Sequence, residues 1–389
     1  MIYLDNAATT EPSPDVLESM KPYLSYEYGN PGSIHYLGVR AAKAVSKARC
    51  QVAEFLGAKP DNIIFTSGGT EANNMVFAGL KDHLIKNGKT HIIISAIEHD
   101  SVINSAKMLI KDGFYITFLP VTRQGKIELS MLEDSITDKT GLISIMYVNN
   151  EIGSINDVSE IGKICKRHGV LFHTDCVQAA GFETINIEDI QCDFASISSH
   201  KIHGCKGVGA LYIRDKSILT PIIHGGIEQE YGLRGGTENV PGIVGFGVAC
   251  ERANNNIQWT KDIVSDLNKV FLTELSSHLS DSGISEIFHI NSQDANNKIC
   301  NIRFDDIDAQ TLIIMLSSLR VFVSAGSACR AHENEPSRVL LSIGLTDKEA
   351  RESVRVSFSD RNTPGQAIRA AELIYKCVVS IREKCTGGV

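Results

Sequence analysis

Several features are missing from this 389-residue chain, and each absence narrows what it can be. No apolar run approaches the roughly 18 consecutive residues that a membrane helix needs. The opening Met1-Ile-Tyr-Leu-Asp-Asn6 has neither a basic stretch nor an apolar one of leader type, so neither a membrane segment nor a targeting segment is expected. Positive charge is not in excess: 38 Lys and Arg against 46 Asp and Glu leave a net charge of −8. Such a field repels polyphosphate, which argues against nucleic acid as the main partner. The ten cysteines form no C-x-x-C pair and mostly lie in apolar segments. This is unlike a secreted disulfide framework and fits a reducing, cytoplasmic setting. His200, His203 and Cys205 suggest a metal, but H-x-x-H-x-C matches no common zinc spacing, and none is expected. Internal repeats and low-complexity tracts are also lacking.

What is present is length for two or three domains at about 150 residues each, with 43% hydrophobic residues to build their cores. Between residues 62 and 213 short β-branched runs (62–66, 90–95, 115–119, 142–148, 170–174, 193–198 and 208–213) alternate with amphipathic stretches at 70–86, 101–111 and 158–168. That alternation predicts an α/β fold with a mainly parallel sheet covered by helices. A glycine-rich stretch, His224 to Thr237, precedes a long helical pattern at 241–279. The remainder, with strands at 299–304 and 354–358 and helices at 309–319 and 364–384, reads as a smaller α/β unit.

Ligands of open α/β sheets sit outside the carboxyl ends of the strands, so the polar residues closing each apolar run are read together. Thr66-Ser-Gly-Gly69-Thr70-Glu71 offers a turn into which an anion fits, ahead of a helix with free N–H groups. Asp175 follows a buried strand directly, where a carboxylate needs a cationic partner. Lys201 closes Ser198-Ser-His200-Lys201, a strand end rather than a solvated face, where loss of water lowers an amine's pKa and lets it attack carbonyls. His99 ends another strand and can stack on a ring or carry protons. Each has a plainer reading alone: a simple Gly-Gly turn, a helix cap, a surface lysine, a structural imidazole. As a set they suit pyridoxal 5'-phosphate, with Lys201 for its aldehyde, Asp175 for its ring nitrogen, and Gly69, Thr70, Ser198 and His200 for its phosphate. Cys329 differs from most of the other cysteines in lying in a small, hydrophilic segment, Ser324 to Pro336. Arg330 and His332 beside it favour the reactive thiolate.

With these pieces in place the chain resembles, over nearly its whole length, the cysteine desulfurases of the NifS/IscS-like kind within the class V aminotransferase family. The resemblance rests on ordered motifs: Tyr3-Leu-Asp-Asn-Ala-Ala-Thr-Thr10, Tyr28 to His35, Phe65 to Glu71, Glu98-His99, Val148 to Gly153, His173-Thr-Asp175 with Gln178, Ser198 to Lys201, Arg234 to Asn239, Gly326 to Cys329 and Val354 to Ser357. It implies a pyridoxal-phosphate-dependent transferase of fold type I, with an arm at 1–15 joining the small domain, a cofactor domain at 16–260 and a small domain at 261–389 carrying the Cys329 segment. In this likeness Lys201 forms the Schiff base and acts as base, His99 stacks on the ring, Asp175 pairs with its nitrogen and Gln178 with its phenolic oxygen. Thr70, Ser198 and His200 hold the phosphate, joined across a homodimer by the neighbouring subunit's Thr237. Asn150 and Arg355 hold L-cysteine, and the thiolate of Cys329 takes its sulfur as a persulfide, leaving L-alanine. The sulfur then passes to an acceptor such as an iron–sulfur scaffold protein or a tRNA-thiolation partner. A selenocysteine lyase or other lyase or transaminase of the same fold, and a non-catalytic dimeric scaffold, are the alternatives. Cys176, Cys205 and the run Phe358-Ser-Asp360 depart from the family's usual residues.

Overall fold

The structure, a computed structural model, describes residues 1–292, 294–326 and 335–386, with the side chains of 385 and 386 excepted. The strands are β1 (Ile2–Tyr3), β2 (Ile63–Thr66), β3 (His91–Ser95), β4 (Tyr115–Leu119), β5 (Thr140–Ser144), β6 (Leu171–Asp175), β7 (Phe194–Ser198), β8 (Gly209–Ile213), β9 (Phe288–Ile290), β10 (Ile299–Phe304), β11 (Val321–Phe322) and β12 (Ser353–Ser357). The helices used below are α1 (Pro14–Leu24), α2 (Tyr36–Leu56), α3 (Gly69–Lys86), α4 (Asp100–Met108), α5 (Leu129–Asp134), α6 (Val158–His168), α7 (Ile187–Ile190), α8 (Val240–Asp281), α9 (Ala309–Ser318), α10 (Arg338–Ser342), α11 (Asp347–Arg351) and α12 (Pro364–Thr386).

Seven strands form one sheet in the order β2-β8-β7-β6-β5-β3-β4. Only β8 runs against its neighbours, so the carboxyl ends of β2, β3, β6 and β7 share one edge. Period two explains the packing. Ile93, Ile143, Phe172 and Ile197 enter the core on one face, whereas Ile92, Ile94, Leu142 and Phe194 enter the core on the other. Both faces are covered, which is why these strands read as continuous apolar runs. The helices are closed by local chemistry: Asp157 caps α6 through the Glu160 N–H, and Gly169 ends it at φ +62°.

A second core gathers Leu4, the antiparallel sheet β12-β10-β9, α9 and α12. The pair β1–β11 brings the amino terminus to it. The long helix α8 is shared: Val240 to Ala253 pack in the first core and Val264 to Leu279 in the second. Among the described residues no helix is long and apolar enough to cross a membrane. One strand differs from its sequence reading. The run 142–148 ends as β5 at Ser144, and the chain turns through the Val148–Ile155 bridge. The cause is Asn149, whose side chain accepts from the Glu151 and Ile152 N–H groups and donates to the Ile97 carbonyl. That turn carries Asn150.

Candidate active site

At the shared carboxyl edge a cleft of about 750 Å³ opens between the two cores. Its anion-facing wall is the start of α3, whose first N–H groups lack acceptors within the helix. The Gly68 φ of +150° turns the chain from β2 into α3. A Cβ on Gly69 would lie 2.7 Å from Val177 Cγ2, so glycine is what lets α3 close onto the loop after β6. This approach sets Gly69 and Thr70 beside Ser198, at the end of β7, in one wall.

Asp175, 4% exposed at the end of β6, accepts from the Val177 N–H at 2.9 Å and from Asn73 Nδ2 at 2.9 Å. Asn73 also donates to Ser101 Oγ at 2.8 Å. His99 caps α4, and its Nδ1 lies 3.1 Å from the donating Ser101 N–H and 2.7 Å from Ser101 Oγ. Because a backbone N–H can only donate, Nδ1 accepts and Nε2 carries the proton of the neutral ring. The carboxylate and the imidazole are thus aligned by one chain of hydrogen bonds, Asp175–Asn73–Ser101–His99. Asn73 had no place in the sequence reading. Its available signal is an amide one helical turn after Thr70 on the buried stripe of α3.

Beneath His99 lies Glu98, almost fully buried, whose Oε1 accepts from Ser95 Oγ and the Met146 N–H. Burial pushes its pKa up to about 8, with Asp175 adding to the rise. The carboxyl is therefore largely protonated at neutral pH.

Lys201 and Gln178 enter the cleft from the opposite side and meet the amino-terminal arm. Lys201 Nζ donates to the carbonyls of Ala7 (2.6 Å) and Ala8 (2.8 Å), and Gln178 Nε2 donates to that of Ala7 (2.8 Å). His200 is held by Thr9 Oγ1 at 3.1 Å. Burial, assisted by the charges of Lys201 and Lys206, lowers its pKa to about 4, which leaves it neutral. Arg355, in β12 of the second core, is 1% exposed and donates to the Asn150 carbonyl (2.7 Å) and to Asp5 Oδ1 (2.8 Å). Asp5 is a second residue that the sequence reading did not single out for a role.

The cleft therefore assembles Gly69, Thr70, His99, Asn150, Asp175, Gln178, Ser198, His200, Lys201 and Arg355. Thr237 does not line it. It follows the segment 225–236, tied to α3 by Arg234–Glu71 (2.9 Å) and to α2 by Glu230–Arg49 (2.6 Å). Cys329, with Arg330 and His332, lies outside the described residues. The groups present fit pyridoxal phosphate: an N–H cradle for phosphate, a fixed carboxylate for a ring nitrogen, and an amine for an aldehyde. Gln178 Oε1 and Asn73 Oδ1, both buried in the wall without a partner among the described residues, add two acceptors.

Comparison with known proteins agrees with this arrangement. The family model described as "Aminotransferase class-V" matches residues 2–367. The chain is 39% identical over 382 residues to "Cysteine desulfurase IscS" of Clostridium botulinum, covering 98% of this chain and 95% of that protein. It is 41% identical over 386 residues to a protein of the same name from Rickettsia typhi, covering 98% and 92%. Among solved structures, "NIFS-LIKE PROTEIN" superposes with a TM-score of 0.89 at 35% identity, covering 98% of this chain and 99% of the other. "SspA in complex with cysteine" superposes with a TM-score of 0.79 at 37% identity, covering 93% and 100%. With a family match spanning almost the full length and a cleft whose groups suit the cofactor of that family, the chain belongs to the class-V aminotransferases, which depend on pyridoxal phosphate.

Proposed function

We propose that this protein is a cysteine desulfurase, which converts L-cysteine to L-alanine and holds the sulfur as a persulfide on Cys329 before passing it to an acceptor protein. The observation that carries this reading is the placement of Arg355 from one core opposite Lys201 and Asp175 from the other, in one cleft. An α-amino acid has two charged handles, and the cleft has one group for each. Arg355 offers a fork for the α-carboxylate, with Asn150 beside it, and Lys201 lies where the α-amino group must react.

When bound, pyridoxal phosphate supplies an aldehyde that captures amines and a ring that draws electrons from the substrate Cα. Gly69, Thr70, Ser198 and His200 hold its phosphate. Asp175, kept in place by Asn73 and the Val177 N–H, stabilises positive charge on its ring nitrogen. His99 stacks on its ring and Gln178 contacts its phenolic oxygen. Lys201 would anchor the aldehyde, and its amine is the group placed to take a proton from the substrate Cα and return it. The Cys329 thiolate attacks the substrate sulfur; an S–S bond forms as the Cβ–S bond breaks, and the electron pair stays on Cβ. Protonation there, together with return of a proton to Cα by Lys201, yields L-alanine.

The reading includes a homodimer in which the partner subunit completes the phosphate site through Thr237, which stands away from its own chain's cleft. It also includes the division into an arm at 1–15, a cofactor domain at 16–260 and a small domain at 261–389. Work in the reducing cytosol, supplying an iron–sulfur scaffold or tRNA-thiolation acceptor, completes it. The test is direct. Purified protein should carry the visible absorbance of the cofactor, shift it on addition of L-cysteine and release alanine. Cys329→Ala should keep the absorbance and lose sulfur transfer; full turnover by that variant overturns the persulfide route.

A further inference from the structure

A second cavity, of about 430 Å³, lies behind the candidate active site. The segment Lys201-Ile202-His203 forms part of its wall. Its other walls come from α8 (Arg252, Thr260), from Lys298 ahead of β10, and from Phe358-Ser359-Asp360 after β12. It therefore touches both cores, and it includes a run where the chain departs from the family pattern.

The charges around this cavity do not cancel. Asp360 is paired with Arg252 Nη2 at 2.5 Å and approached by His203 Nε2 at 3.1 Å. Glu183 is paired with Lys261 Nζ at 2.6 Å. These two carboxylates feel Lys298 at longer range, but each already has its own cation. Lys298 itself is 6% exposed, and among the described residues no hydrogen bond or ion pair holds its Nζ. Burial lowers its pKa to about 8, which leaves most of it charged at pH 7. A buried ammonium without a counter-charge costs several kcal/mol. A single negative charge beside Nζ removes that cost. A second would meet Asp360 in the same wall, where Arg252 is already engaged, and apart from Lys201 and His203 the remaining side chains are neutral, polar (Thr10, Asn256, Thr260, Ser359) as well as apolar (Phe182, Val264, Phe358).

We propose that this interdomain cavity is a binding site for a small monovalent anion, a halide or a short carboxylate, with Lys298 as its charged anchor and Arg252 as a second contact. The site shares Lys201 with the cleft as a common wall, and it does not depend on the reaction assigned to the cleft. An anion seated between the two cores stabilises their docked arrangement by mass action.

The test uses the full-length, cofactor-saturated protein, so that the phosphate cradle is already filled. Thermal midpoints are measured at pH 7 and fixed ionic strength while gluconate, far bulkier than the proposed ligands, is exchanged for chloride, formate or sulfate. The expected result is a saturable rise with chloride or formate, with the apparent affinity about tenfold or more weaker in Lys298→Met, the loss of one charge-assisted contact. Chloride acting alone identifies a halide site, and formate acting as well identifies one open to short carboxylates. A saturable response that favours sulfate, or one equal in wild type and Lys298→Met, overturns the proposal. Should Lys298→Met fail to fold, crystals of the wild type soaked in bromide decide it. An anomalous peak against Lys298 Nζ supports the site, and a cavity holding water alone refutes it.

Discussion

Replacing Arg355 by lysine keeps a positive charge in the cleft but removes the fork. In the structure two of its nitrogens are committed, Nη1 to the Asn150 carbonyl and Nη2 to Asp5. The side chain is fully enclosed, so its direction is set by those contacts. A lysine ammonium is a point donor that cannot hold Asp5, Asn150 and both oxygens of a substrate carboxylate together. One charge-assisted hydrogen bond to the substrate is lost, about 1.5–3 kcal/mol. At about 1.4 kcal/mol per factor of ten this lowers kcat/KM roughly 10- to 150-fold. The assay is alanine formation from L-cysteine, repeated with cysteine methyl ester, which lacks the carboxylate charge. Wild type should lose a similar factor on esterification, whereas Arg355→Lys should lose little more, because both changes remove the same contact. Cofactor absorbance and the thermal midpoint serve as controls for folding. If Arg355→Lys prefers free acid to ester as strongly as wild type does, Arg355 is not the carboxylate grip.

Asn73→Ala cuts the bridge between Asp175 and Ser101 and should weaken pyridoxal phosphate retention roughly tenfold, the loss of a buried hydrogen bond; unchanged retention in an equilibrium titration refutes the network. Gly162→Ala places a Cβ 1.8 Å from the Ile190 carbonyl oxygen, where α6 crosses the end of α7, and should cost about 1–3 kcal/mol by overpacking, read as a lower denaturation midpoint with the denaturant slope unchanged. Glu98 keeps its proton in the folded chain from pH 4.5 to about 8, where the unfolded chain releases it. Its contribution to stability therefore falls as pH rises through that window. Glu98→Gln, which mimics the protonated acid, should flatten the decline in thermal midpoint between pH 6 and pH 8, and an unaltered decline in the variant rejects the assignment.

The sheet was legible because its strands are short and, except at the β4 edge, buried on both faces. The runs at 115–119 and 299–304 and the helix at 158–168 coincide with β4, β10 and α6, since burial, caps and β-branched residues all act within a few positions. The site residues at strand ends were legible for the same reason: Asp175 and Ser198 each close an apolar run. What escaped depends on partners far along the chain. Asp5 meets Arg355 across 350 residues, and no local pattern marks that acid as different from any other. Asn73 reaches Asp175 over 102 positions. The early end of β5 escaped because a side-chain amide, Asn149, outweighs the β propensity of Ile145 to Val148, which a count of apolar residues cannot weigh.

These long-range contacts also determine what the cleft can sense. Asp175, Lys201 and His99 belong to the first core, while Arg355 belongs to the second and is tied to the first through the Asn150 carbonyl and to the arm through Asp5. Arg338 reinforces the same seam: it opens α10 and donates to the carbonyls of Ala96 and Glu98, and approaches Asp100 at 3.3 Å. It thereby fastens α10, whose Val339 and Leu340 pack with Ile97 and Ile152 in a cluster of their own, to the turn that presents His99. Ser337, one residue earlier, donates to the buried Glu151 at 2.5 Å, next to Asn150. A shift of the second core by even 1 Å would move Arg355, the His99 turn and the Asn150 turn relative to one another. Arg355 and His99 therefore keep their separation only while these contacts hold. That dependence is why truncating a contact at the seam, such as Arg338→Ala, should raise KM and lower kcat together rather than alter binding alone.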